Sequence, residues 1–161
     1  MCVNVSRRWT GGCTCVRDTL LFSVMTVMTG RAAIGVEHVP ELVHQSKRNI
    51  AKWASITGRN LQDEQEAMAS VPLILERDGF QGYSDGGPYK AIHVGAAAPE
   101  LPTHLVAQLD VGGRLVVPVG THSQELLVVD KHDGGRIEKK SVMGVVYVPL
   151  TSLEAQLSSM P

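Results

Sequence analysis

The chain has 161 residues, 43% of them hydrophobic and 19% charged, which suits one domain with a core of its own. A net charge of −1 removes any electrostatic case for nucleic acid or an anionic membrane as partner. Aromatic residues make up only 4%, so base stacking has little to work with.

The N-terminal segment carries Cys2, Cys13 and Cys15. An odd cysteine count without a secretory signal indicates a reducing compartment, with the cytoplasm as default. Cys13-Thr14-Cys15 has no second cysteine pair or histidine pair nearby, so free thiols are expected rather than a metal site. Residues 19–28 (T-L-L-F-S-V-M-T-V-M) are apolar but far too short to span a bilayer. Arg7, Arg8 and Arg17 precede them, as they would the apolar part of a signal peptide; a core helix is the expected reading.

From there the pattern alternates strand and helix, the mark of an α/β sheet. A strand is expected over 31–36. Pro40 then opens a helix, where its missing N–H costs nothing, and the helix fades near Gly58. Leu42, Val43, Ile50 and Trp53 supply its apolar face. Residues 59–70 form a polar connection, 71–75 a short buried strand and 76–88 a glycine-rich loop. A strand over 89–94 stops at the small-residue run G-A-A-A-P, where backbone can approach a ligand. A short helix is expected over 102–109, a turn at Gly112-Gly113, and strands over 114–119 and 125–131. Asp133-Gly134-Gly135 signals a turn, and 137–148 returns as a strand, so 125–148 reads as a hairpin. The chain has no internal repeat and no low-complexity segment.

Some residues stand where chemistry could occur. Glu37 follows the first clear strand, and ligands in open α/β sheets bind beyond the carboxyl ends of strands. An acid there can accept both hydroxyl hydrogens of a ribose; equally, Glu37 and His38 can be an exposed strand-end acid and a surface imidazole. Asp78-Gly79 follows the next strand, and such a pair is commonly only a turn. Thr151 and Gln156 by themselves suggest a solvated C-terminal turn. His93, inside a buried strand, is expected to be a core residue.

Five runs carry a resemblance. They are A-I-G-V-E-H-V-P-E-L-V from Ala33, D-G at Asp78, Y-K-A-I-H-V-G-A-A-A-P from Tyr89, G-G-R-L-V-V-P-V-G from Gly112 and M-G-V-V-Y-V-P-L-T from Met143. In this order they are similar to the protein-L-isoaspartate (D-aspartate) O-methyltransferases, from about residue 30 to residue 156. The resemblance implies a Rossmann-like α/β sheet that binds S-adenosylmethionine. That sheet would be mostly parallel with a C-terminal antiparallel hairpin, and incomplete at its N-terminal end. It divides the chain into a divergent segment 1–18 and a methyltransferase-like domain 19–161.

The same resemblance implies the roles. Glu37 would hold the ribose with His38 beside the adenosine, Asp78 and Gly79 would border adenine, and Thr151 and Gln156 would fold back over the cofactor. Arg77 stands where the family has a small residue, which would narrow the adenine pocket. The substrates would be isoaspartyl-containing proteins or peptides, the product S-adenosylhomocysteine, and the protein a monomer. An isoaspartyl carboxylate is already ionised at neutral pH, so no general base is expected here, and no catalytic residue is assigned because the family's serine belongs to a segment with no match in this sequence.

The family's cofactor loop, approximately D-V-G-S-G-S-G, is not found in these 161 residues. Residues 2–5 are expected to stand in, imperfectly, for the central strand that precedes it. The family's active-site serine also has no counterpart. Two readings therefore stand: an isoaspartyl methyltransferase with a missing or altered N-terminal part, and a non-catalytic remnant that binds adenosine or peptide. A nucleotide-dependent oxidoreductase is disfavoured, because no G-x-G-x-x-G follows a strand.

Overall fold

The computed structural model describes residues 3–6, 33–56, 58, 73–152 and 154. They form seven strands: β1 (Val3–Ser6), β2 (Ala33–Glu37), β3 (Leu73–Glu76), β4 (Tyr89–Val94), β5 (Leu109–Val119), β6 (Gln124–Lys131) and β7 (Ile137–Val145). Two helices join them, α1 (Pro40–Ile56) and α2 (Thr103–Ala107). The strands make one sheet in the order β3-β2-β1-β4-β5-β6-β7.

β2 and β3 pair in parallel, as do β4 and β5. β6 returns antiparallel to β5, and β7 antiparallel to β6. β1 occupies the slot between β2 and β4, as residues 2–5 were expected to do, but antiparallel to both. Strands β2, β3, β4, β5 and β7 thus run one way, β1 and β6 the other. A reversed β1 still satisfies the inward backbone groups of both neighbours, because an antiparallel ladder pairs them as fully as a parallel one. It does not place its carboxyl end with theirs. Val3 lies opposite Val36 and Val94, so the β2 and β4 tips flank the amino end of β1.

α1 begins at Pro40 with Glu41 in its first turn, where the helix dipole favours an acid. Val43 and Ile50 pack with Ala33 of β2 and Ile74 of β3. Leu42 and Trp53 of the expected apolar face are only half-buried, and Ala54 is fully buried instead. The small alanine lets the helix lie close to the sheet, while the indole is too large to be enclosed there. The expected core helix over 19–28 lies outside the described residues.

The larger core joins Val36, Tyr89, Ile92, Val94, Leu105, Leu109, Leu115, Val117 and Val129. Gly112-Gly113 is not the expected turn. β5 runs through it with an irregularity opposite Tyr89 and Ala91. Gly112 has φ +72°, and a Cβ on Gly113 would lie 2.6 Å from the Tyr89 carbonyl oxygen. Glycine is needed because two backbones pass at that point. β7 also ends earlier than expected, at Val145, and residues 146–150 leave the sheet for a different contact.

Arg114 and Asp130 face each other across β5 and β6 in a two-pronged ion pair, 2.7 and 2.8 Å. The guanidinium holds the Asp130 carboxyl below the ordinary carboxylate range. A depressed acid stabilises the fold above its unfolded pKa and loses that contribution as pH falls through its folded one. The pair is partly exposed, so its worth is at most about 1 kcal/mol. Asp130→Asn is expected to cost about that much at pH 7 and progressively less as pH falls below the ordinary carboxylate range, in urea unfolding monitored at pH 7 and at acid pH.

Candidate functional site

The edge holding the carboxyl ends of β2, β3 and β4 collects most of the residues singled out in the sequence. Glu37 is the last residue of β2 and pairs with Glu76, the last residue of β3. Its side chain is 3% exposed. Oε1 accepts from the backbone N–H groups of His38 (2.9 Å) and Val39 (3.0 Å). The carboxylate therefore caps the turn into α1 and is oriented by it. His38 is buried beside it, at 8% exposure.

The β3 tip is tied to the β2 tip. The Arg77 N–H donates to the Glu37 carbonyl at 3.0 Å, and Asp78 follows immediately. Asp78 is exposed, and its Oδ1 accepts from the Phe80 N–H at 2.9 Å, a turn closed over buried Gly79. Parallel neighbours lie about 4.8 Å apart, so Glu37 and Asp78 stand at adjacent strand ends on one edge of the sheet. Arg77 turns along the loop, its guanidinium 5.2 Å from the centre of the Tyr83 ring. There it lines an open hollow of about 420 Å³ with Gln81, Ser84, Asp85, His104 and Gln108.

Beyond β4 the small-residue run is held on both sides. Ala98 donates its N–H to Pro118 O and accepts from the Gly120 N–H, both at 2.9 Å. Ala97 donates to Val148 O at 2.9 Å and accepts from the Leu150 N–H at 2.8 Å. Ala96, Ala97 and Ala98 are all buried, so no larger side chain fits this seam. Gly120, at φ +125°, is a second required glycine, since a Cβ there would collide with the Ser123 carbonyl.

Leu150 is buried, and Thr151 follows it half-buried. The contacts of Ala97 bring Thr151 to the same edge as Glu37, with only β1 between β2 and β4. Gln156 lies outside the described residues. His93 sits within β4 between β1 and β5, and burial pushes its imidazole below the ordinary range. It is neutral at pH 7, as a core histidine should be.

Two glutamines escaped the sequence reading. The Gln108 amide bridges loop and helix, accepting from Tyr83 N–H (3.0 Å) and donating to Gln81 O (2.7 Å). The Gln124 amide accepts from Tyr147 N–H (2.6 Å) and donates to Tyr147 O (3.0 Å). Both reach across more than twenty positions, so no local pattern could announce them.

The donor set suits the adenosine half of a nucleoside sulfonium. Glu37 and Asp78-Gly79 stand together at this edge, while the alanine seam beside them is closed on both sides by the backbones of Pro118, Gly120, Val148 and Leu150. The other half has no such cradle among the described residues, because the carboxyl end of β1 leaves from the opposite edge. Among the described residues no three His, Cys, Asp or Glu side chains converge as metal ligands.

The profile of the protein-L-isoaspartate(D-aspartate) O-methyltransferase family matches residues 10–155. Protein-L-isoaspartate O-methyltransferase 1 of Arabidopsis thaliana is 49% identical over 146 residues, covering 86% of this chain and 56% of its own length. The Caenorhabditis elegans protein-L-isoaspartate O-methyltransferase is 43% identical over 136 residues, covering 82% and 56%. A Plasmodium falciparum chain described as a protein-L-isoaspartate O-methyltransferase, solved with S-adenosyl-L-homocysteine, superposes with TM-score 0.56 at 31% identity. That superposition covers 73% of this chain and 51% of the other. The chain spans little more than half the length of the relatives it matches. With its sheet, its strand-tip acids and a profile match over 10–155, this chain belongs to the protein-L-isoaspartate(D-aspartate) O-methyltransferase family.

Proposed function

We propose that the protein transfers a methyl group from S-adenosylmethionine to the side-chain carboxylate of L-isoaspartyl, and D-aspartyl, residues in damaged proteins. It works as a cytoplasmic monomer, with residues 19–161 as its methyltransferase-like domain. The observation that carries this reading is the junction of two parallel strand tips by the Arg77 N–H to Glu37 carbonyl bond, which sets Glu37 beside Asp78-Gly79. S-adenosylmethionine supplies an activated methyl on a sulfonium. A carboxylate oxygen forms the new C–O bond, the C–S bond breaks, and the electron pair neutralises sulfur, so no proton moves. Glu37 and Asp78 hold adenosine, Thr151 and Gln156 cover it, and the alanine seam excludes water from the reacting groups. His38 closes the ribose side. The peptide lies against residues 146–150, where Val146 is 97% and Val148 72% exposed while Leu150 is buried beneath them.

The reversed β1 favours a second reading. A chain whose central strand runs backwards keeps the adenosine half-site and the peptide-facing surface without methyl transfer. A radiolabelled methyl-transfer assay separates the two. The first reading expects labelled ester on an isoaspartyl peptide and none on its aspartyl isomer. No ester, together with measurable S-adenosylhomocysteine binding by calorimetry, overturns it in favour of the second.

A further inference from the structure

In the β6–β7 ladder Gln124 pairs with Val145, so two residues further on the register would set residue 122 opposite Tyr147 in a rung of its own. The main chain does not make that rung. β5 ends at Val119, Gly120 turns the chain, and β6 begins only at Gln124. The Gln124 side chain makes it instead, offering one acceptor to the Tyr147 N–H and one donor to the Tyr147 carbonyl. A primary amide carries the same donor and acceptor as a peptide group, so it can extend a ladder past the point where the backbone departs. The O and N positions of this amide are dictated by the partners, since only the oxygen can face an N–H.

This clamp works with a second anchor. One residue beyond Tyr147, the Val148 carbonyl accepts from Ala97, and the Leu150 N–H donates back to the Ala97 carbonyl. Residues 147–150 are thus fixed between the amino end of β6 and the loop after β4. The Val146 and Val148 side chains stay exposed while the backbone beside them is tied down.

We infer that Gln124 is a positioning residue for the isoaspartyl peptide, fixing residues 147–150 where the peptide meets them, with a smaller effect on the cofactor, since Glu37 and Asp78 lie on β2 and beyond β3. The inference rests on the proposed peptide surface and adds a residue to it. Gln124→Leu keeps the side-chain size and removes both bonds. Gln124→Glu keeps the bond from Tyr147 N–H and loses the one to its carbonyl.

The test compares wild type and both variants by calorimetry with an isoaspartyl hexapeptide and, separately, with S-adenosylhomocysteine. Amide exchange at Tyr147 is followed by NMR. Gln124→Leu is expected to weaken the peptide about tenfold, to speed Tyr147 exchange by a similar factor and to leave S-adenosylhomocysteine within twofold. Gln124→Glu should fall between. Peptide affinity in Gln124→Leu within twofold of wild type overturns the inference, as does an equal loss for both ligands. A wild type that binds S-adenosylhomocysteine but no peptide overturns it while the cofactor reading stands; one that binds neither overturns both.

Discussion

Glu37→Gln is expected to weaken S-adenosylhomocysteine by about 10²–10⁴-fold. A hydrogen bond to a charged acceptor contributes about 1.5–3 kcal/mol, two ribose hydroxyls would meet this carboxylate in the proposed site, and each 1.4 kcal/mol is tenfold. Glutamine is the informative replacement. Its carbonyl oxygen can still accept from His38 and Val39, as Oε1 does, so the turn into α1 keeps its cap. Stability should therefore change by less than about 1 kcal/mol, and the affinity loss reports the ligand contact alone. Calorimetry on the folded variant checks it. An affinity within threefold of wild type would remove Glu37 from the site and leave it a capping residue.

A larger gain is expected from changing the direction of the central strand. Replacing residues 1–18 with a family strand followed by D-V-G-S-G-S-G should tighten S-adenosylhomocysteine by about 10²–10⁶-fold, from two or three added charge-assisted bonds. The reason is geometric. β1 presents its amino end beside Val36 and Val94, whereas a parallel strand would deliver its following loop to that edge. The loop's N–H groups would then face the methionine moiety across from Glu37. A control segment with the glycines changed to valine should restore the sheet without the affinity. Equal binding by the chimera and the original chain would show that the loop is not what limits this half of the site.

The expected elements were legible where pattern and partner agreed. β4 occupies 89–94 as read, because its boundaries are marked by Pro88 and by the change to small residues at Gly95. α1 begins at Pro40 for an equally local reason. Gly112-Gly113 misled because two glycines signal a turn from sequence, whereas here they let β5 pass the Tyr89 backbone. The end of β7 misled because 146–148 keeps a strand-like composition; only its bonds to Gln124 and Ala97 take it out of the ladder. Among the proposed site residues, Glu37 and Asp78 were readable because each stands at or just past the carboxyl end of a strand. The route by which Thr151 joins them depends on Ala97, more than fifty positions away, and is written in no local spacing.

By itself the sequence determined the family and the α/β order of elements, because strand-and-helix periodicity and the five ordered runs are properties of neighbours along the chain. The tertiary structure alone decided that β1 enters the central slot reversed, and that a glutamine side chain replaces a missing rung to seat residues 147–150 against Ala97. Strand direction and cross-sheet hydrogen bonds depend on which distant backbone groups need partners, and a linear pattern does not encode that.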